Sequence, residues 1–246
     1  MARIDNLSNF LSDVAGAIRA KKGTTETIQA SSFDTEIANI PTGNEPEKGI
    51  IITDWDSNGN PTVVKIKGLT SIPKAAFYNY SVNDGLFTKL TSVNIPTGIT
   101  KLGNYAFYNC SKLILNEIPD TVSQIGNSCF YNCHSLVSMT INGDITYMDN
   151  ASFRNCMNLE KIVFEGSATG IQNTVFYGDT KLTSVVFKSN TTIPTLNSNN
   201  SFSGTPIESG NGYIYIADSL VDSLKTANNW STYANQIKPL SEYTEV

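Results

Sequence analysis

Four cysteines, one histidine and one acidic stretch are the residues of this 246-residue chain from which chemistry could be built. Cys110, Cys129, Cys133 and Cys156 are 19, 4 and 23 residues apart. Structural zinc sites use paired C-x2-C units with further Cys or His partners, and this spacing supplies no such pair. The thiols are therefore expected to be free and buried, with no metal. His134 is the only histidine, which leaves little for imidazole-based catalysis or metal binding. Asp54-Trp-Asp56-Ser-Asn58-Gly59-Asn60 overlaps the start of a calcium loop, D-x-[DN]-x-[DN]-G. The bidentate carboxylate that such a loop needs at its twelfth position is here Lys65. The stretch also lies between two strand patterns, Ile50–Trp55 and Thr62–Ile66, so it reads as the turn of a hairpin. The 22 acidic residues are scattered, and nothing places two in one pocket. No catalytic residue, metal or cofactor is expected, and the chain does not read as an enzyme.

The element that positions these residues is a repeat. Phe107, Phe130, Phe153 and Phe176 follow one another at steps of 23 residues. Three residues after each of the first three comes Cys110, Cys133 or Cys156, and six after all four comes Leu113, Leu136, Leu159 or Leu182. Leu102, Ile125, Met148 and Ile171 precede the phenylalanines by five. His134 falls in the column of Ser111, Met157 and Thr180, a surface slot. A constant step of about 20–29 residues, with leucines and one apolar strand per unit, is the signature of a leucine-rich solenoid. A strand follows each leucine, with Met139/Ile141, Ile162/Phe164 and Val185/Phe187 facing inward and Thr140, Val163 and Val186 outward. These strands are expected to stack into one continuous parallel sheet. In Leu113-Ile-Leu-Asn116-Glu-Ile118 an asparagine takes an inward slot, which predicts a bulge or a shift that puts Leu115 inside. A first repeat contains Leu69, Ile72 and Phe77, and seven inserted residues before Leu90 make Asn79–Gly85 a projecting loop. A weak last repeat contains Ile193, Leu196 and Phe202.

Cassettes such as Leu102-Gly-Asn-Tyr-Ala-Phe107-Tyr-Asn-Cys110-Ser-Lys-Leu113 resemble the BspA-like, Treponema-type leucine-rich repeats of bacteria, over roughly residues 63–210. The resemblance implies a curved solenoid used for binding, without catalytic residues. The fold class is α+β: a leucine-rich-repeat solenoid with a parallel sheet, a small N-terminal helical module and a C-terminal strand-helix cap. The boundaries expected are 1–43 for the helical module, 44–49 for a linker, 50–210 for the solenoid with its hairpin cap, and 211–246 for the C-terminal cap. In that cap Gly212–Ile216 reads as a strand and Ser219–Lys225 as a helix, with Trp230, Tyr233 and Ile237 as cover.

In the N-terminal module, Leu7, Phe10, Leu11, Val14 and Ile18 fall on one face of a 3.6-residue period. A second short helix carries Phe33, Ile37 and Ile40 and stops at Pro41. So little apolar surface makes a marginal domain, so the module is expected to pack on a partner. Asn6–Gly23 followed by Phe33–Pro41 resembles the leader module of structural proteins of phages and prophages in Gram-positive bacteria. That resemblance implies attachment to other virion proteins or to further copies of the chain, and a virion assembled in the host cytoplasm. A bacterial cell-surface adhesin is the alternative.

A formal net charge of −5 and scattered basic residues argue against phosphate neutralisation on nucleic acid. No apolar run approaches the roughly 20 residues of a membrane span, and Met1-Ala-Arg-Ile-Asp-Asn lacks the order of a secretory signal. Two surfaces are candidates for binding a host-surface protein or glycan. One is a column after the anchor phenylalanines: Tyr78, Tyr108, Tyr131 and Tyr177, interrupted by Arg154. The other is the outward strand face, with Ser92, Asn94, Ser138, Thr140, Lys161, Val163, Ser184 and Val186.

Overall fold

The computed structural model describes residues 49–80 and 85–245, all within the second of the chain's two units, Lys48–Val246. The helices expected in residues 1–43, with Leu7, Phe10, Leu11, Val14 and Ile18, and the linker 44–48 lie outside the described residues, as do residues 81–84 of the expected loop.

The described chain begins with a hairpin, β1 (Gly49–Trp55) and β2 (Pro61–Lys67). Each repeat then contributes two strands, a two-residue one before the anchor phenylalanine and one of two to four residues after it. In chain order these are β3 (Ser71–Ile72) and β4 (Ser92–Asn94), then β5 (Lys101–Leu102) and β6 (Glu117–Ile118). Next come β7 (Gln124–Ile125) and β8 (Ser138–Ile141), β9 (Tyr147–Met148) and β10 (Lys161–Phe164). They are followed by β11 (Gly170–Ile171) and β12 (Ser184–Phe187), β13 (Thr195–Leu196) and β14 (Tyr213–Ile216), and β15 (Ile237–Pro239). Equivalent strands pair in parallel, one repeat to the next, so Ser138, Lys161, Ser184 and Tyr213 lie side by side.

The sequence reading expected one sheet; the solenoid has two long ones. The strands before the phenylalanines form the order β13-β11-β9-β7-β5-β3, and those after them form β15-β14-β12-β10-β8-β6. Both faces are needed because a two-residue strand can bury only one side chain, and Ile72, Leu102, Ile125, Met148, Ile171 and Leu196 each supply it. The second long sheet also breaks between β4 and β6, leaving β1-β2-β4 separate. The cause is the slot at Asn116: that residue is exposed, while Leu115 and Ile118 turn inward instead. Asn116 still accepts from Thr140 N at 2.8 Å, so the shift costs pairing toward β4 only.

Between the sheets runs a stack of phenylalanines. Phe77, Phe107, Phe130, Phe153, Phe176 and Phe202 have successive ring centroids 5.1, 5.0, 5.0, 6.1 and 5.4 Å apart. That is close to the strand spacing, as the translation of one residue by one repeat requires. The backbone around each ring alternates in hand. Residues two before the ring (Tyr105, Ser128, Ala151, Thr174) and two after it (Asn109, Asn132, Asn155, Gly178) have positive φ between 50° and 78°. The second position is Asn or Gly, residues that tolerate this region; the first is not, and its strain is offset by hydrogen bonds. Tyr105, Phe107 and Asn109 donate their N–H groups to Asn127, Cys129 and Tyr131 of the next repeat at 2.8, 2.8 and 2.9 Å. Alternating hand aims all three along the solenoid axis, which satisfies turn backbone that would otherwise be orphaned.

Both ends are closed by cover. The hairpin pairs β2 with β4 and moves the free edge out to β1. At the other end a short helix, Val221–Thr226, precedes Trp230 and Tyr233, which are buried against Phe187 and Phe202. Trp230 Nε1 donates to Pro194 O at 2.7 Å, and Tyr233 donates to the Asn199 carbonyl. Among the described residues no helix is long and apolar enough to cross a membrane.

Candidate functional site

The acidic stretch and the repeat cysteines singled out for chemistry make structural hydrogen bonds. Asp56 organises the hairpin turn: its carboxylate accepts from Asn58 N and Asn60 N, both at 2.9 Å, and from Asn60 Nδ2. These bonds, the one from Asn60 N first, hold its pKa below the usual carboxylate value. All four cysteines are free and buried. Cys110, Cys133 and Cys156 each donate their thiol at 3.1 Å to the carbonyl of the phenylalanine one repeat earlier: Phe77, Phe107 and Phe130. Burial pushes their pKa values far up, so they remain thiols rather than reactive thiolates.

In the fifth repeat the same slot holds Asp179, fully buried. Its Oδ1 accepts from Cys156 N at 2.8 Å, while Oδ2 has no partner. Burial raises its pKa well above the ordinary carboxylate value, outweighing that single hydrogen bond.

The tyrosine column is the most ordered surface feature. Tyr78, Tyr108 and Tyr131 stack in sequence with centroids 5.1 and 4.8 Å apart and planes within 21° and 14° of parallel. Arg154 continues the column: its guanidinium lies 5.8 Å from the Tyr131 ring centroid and 4.3 Å from that of Tyr177. The sequence places Arg154 in the same column but counts only the tyrosines as its ladder; in the fold Arg154 is a rung too, because a planar cation stacks on a ring as another ring would. Tyr105, which the column reading omitted, packs edge-on against Tyr78 and Tyr108. Its place two residues before an anchor phenylalanine, next to the column in space, was the signal available.

The stack decides what the column can do. The faces of Tyr108 and Tyr131 are covered by their neighbours, so these rings offer no platform for a flat sugar. What they present is ring edges and a row of phenolic hydroxyls, at the pitch of the repeat. Burial first, then the neighbouring phenols, raises the Tyr108 pKa, so its hydroxyl is a neutral donor near neutral pH. Tyr78 and Tyr177 are 40% and 38% exposed, while Tyr108, Tyr131 and Arg154 are half-buried, which fixes their rotamers.

The outward strand face differs from expectation. Ser138, Thr140, Lys161 and Ser184 are half-buried, and Ser92 and Asn94 are exposed. Val163 and Val186 are buried, Val186 completely, and are withdrawn as ligand contacts. The reason is the C-terminal segment. Val186 pairs with Tyr215 of β14, whose ring meets Tyr243 at 5.1 Å. Lys188 binds Glu165 and Glu245 at 2.8 and 2.7 Å across the same end. The expected projecting loop is also corrected in part: Asn79 is buried and accepts from Phe87 N at 2.8 Å, while Tyr80 is 87% exposed.

Two cavities lie on the surface of the described residues. One, of 540 Å³, lies at the sheet break, with Asn94, Glu117, Asp120 and Asn142 among its lining. The other, of 320 Å³, lies on the turns and includes His134, Lys89 and Lys112.

Short parallel strands stacked in two sheets about a phenylalanine column define a leucine-rich repeat solenoid. A family model described as the BspA type leucine rich repeat region matches residues 70–208 in six copies, and the chain belongs to this family. Among solved structures it is similar to a leucine-rich repeat protein of T. pallidum, at 15% identity and a TM-score of 0.48, covering 66% of this chain and 88% of that one. It is also similar to a leucine-rich repeat protein of Bacteroides ovatus ATCC 8483, at 20% identity and a TM-score of 0.33. That match covers 69% of this chain and 58% of the other. No curated protein matches the chain.

Proposed function

We propose that this protein is a non-enzymatic recognition module, carried by its N-terminal residues 1–43 and binding a host-surface protein or glycan along the tyrosine–arginine column. The observation that carries the reading is that column itself. Four phenols and one guanidinium are held in register on a rigid stack, and pre-ordered side chains lose little entropy on binding. The ligand class that fits offers hydrogen-bond acceptors at repeated intervals, as polysaccharide hydroxyls and extended peptide carbonyls both do. The carrier favoured is a phage or prophage particle, on the likeness of Asn6–Gly23 and Phe33–Pro41 to phage leader modules. The bacterial cell-surface adhesin stands beside it, favoured by membership of the BspA type family.

Immunogold labelling of lysates and of whole cells from the source bacterium, after prophage induction, separates the two. Gold on particles is expected with the wild-type chain, and its loss with Phe10→Asp/Val14→Asp, which replaces two residues of the expected apolar face and none of the solenoid. Gold on cell envelopes alone, indifferent to these substitutions, would favour the adhesin and remove the attachment role of residues 1–43.

A further inference from the structure

The 320 Å³ cavity on the turns brings Lys89, Lys112 and His134 together with small polar side chains. We propose that it is an oxyanion-binding site that takes a phosphate group, either free or carried on a polymer. It is distinct from the tyrosine column and does not depend on it.

The case starts from charge. The chain as a whole is acidic, at −5, yet among the described residues two lysines and no carboxylate line this cavity. Among the described residues neither lysine lies within 4.0 Å of a carboxylate. Asp56 of the hairpin senses Lys89, as the weakest of the influences on it, but its oxygens are taken by Asn58 and Asn60. Two cations on neighbouring turns, with no carboxylate within 4.0 Å among the described residues, concentrate field in a concave site.

Hydrogen-bond accounting narrows the chemistry. Three of the neutral polar side chains already donate to the backbone: Thr88 Oγ1 to Gly85 O at 3.1 Å, Ser135 Oγ to Ser111 O at 2.8 Å, and Asn158 Nδ2 to His134 O at 2.7 Å. What is left is the two ammonium groups and the second N–H of Asn158, while His134 Nε2 is shielded from solvent and has no partner. That nitrogen is out of reach of water, so an oxyanion in the cavity acts on the ring through its charge and not as a direct acceptor. Burial first, then Lys112, lowers the His134 pKa in the empty cavity. An anion seated against Lys112 reverses the second cause, so binding is accompanied by proton uptake on His134. Phosphate suits the site better than a planar carboxylate, because ammonium groups on separate turns act as point charges and offer no parallel fork. The volume falls at the low end of small-molecule sites, enough for a phosphate with the group that bears it.

The single histidine makes the test direct, since the full chain gives one imidazole signal in its proton NMR spectrum. That signal is followed across pH with inorganic phosphate and with sodium chloride at matched ionic strength. Phosphate is expected to move the signal saturably and raise the His134 pKa by about half a unit or more. Lys89→Ser/Lys112→Ser should abolish both effects; both side chains are exposed, so an unchanged melting temperature confirms the fold. Tyr131→Phe should leave the phosphate response intact, which separates failure here from failure of the column. An equal response to chloride, or a phosphate response that survives loss of both lysines, overturns the site.

Discussion

At the scale of single residues, one slot per repeat carries the clearest instruction. A donor three residues past the phenylalanine caps a carbonyl one repeat back, and a cysteine thiol performs this three times. Asp179 enters the same slot as a carboxyl whose Oδ2 is unpartnered. When protonated it is itself a donor, and the equivalent acceptor in its rung is the Phe153 carbonyl. Its folded pKa lies well above its unfolded one, so folding takes up a proton. The sign follows: the contribution is complete below about pH 4, the ordinary carboxylate value, and is lost progressively as pH rises toward the folded pKa. Urea unfolding of wild type is therefore expected to give lower stability at pH 8 than at pH 5, insofar as this residue governs. Asp179→Asn keeps the acceptor for Cys156 N and adds a permanent donor. It should raise stability at pH 8 by roughly 1–3 kcal/mol and reduce the pH dependence. A variant less stable than wild type at pH 8 would mean that the carboxylate has a partner of its own.

At the scale of elements, much of the solenoid was legible because the repeat is local: Phe, Cys and Leu columns at a step of 23 specify what stacks on what. Inward residues such as Met139, Ile162 and Val185 follow from alternation alone and are fully buried. Three features were not legible in this way. The second sheet rests on single apolar residues such as Ile125, too short a pattern for alternation to reveal. The sheet break at Asn116 was visible as a mismatch, but its reach to β4 depends on how neighbouring strands answer it. The burial of Val163 and Val186 depends on a tertiary event, the return of Tyr243 and Glu245 across the last strands. In the candidate site, the tyrosine column was readable as spacing, whereas the stacking of Arg154 within it was a matter of geometry. The lysine–histidine cavity lies on two adjacent repeat columns, Thr88, Ser111 and His134 and, one residue on, Lys89, Lys112, Ser135 and Asn158; it was missed because its cations are exceptions within those columns and not a repeated residue.

The two kinds of cover at the C-terminal end should differ sharply in worth. Trp230 is buried against Phe187 and Phe202 and donates to Pro194 O. Its replacement by Ala is expected to cost about 3–5 kcal/mol in chemical denaturation. Lys188 holds two carboxylates, but its side chain is 28% exposed and Glu245 is 69% exposed, so solvent screens the pair. Lys188→Met should cost less than about 1 kcal/mol. Comparable losses from the two substitutions would mean that the end is held by charge and not by packing.

At the scale of the whole molecule, the solenoid converts one repeated residue into a row, and the proposed function lies in that row. Stacking orders the phenols, and their hydroxyls, not their faces, are left for a partner. The most direct measurement replaces Tyr78, Tyr108, Tyr131 and Tyr177 together by Phe in the full chain, which preserves the stack and removes only the hydroxyls. Binding of fluorescently labelled wild-type and variant protein is then compared on intact cells of the source bacterium, with melting temperature as the check on folding. The wild type is expected to bind saturably and the folded variant at least about tenfold more weakly, the loss that one to three ordinary hydrogen bonds would cause. Equal binding by the variant, or no saturable binding by the wild type, would contradict recognition through the tyrosine column.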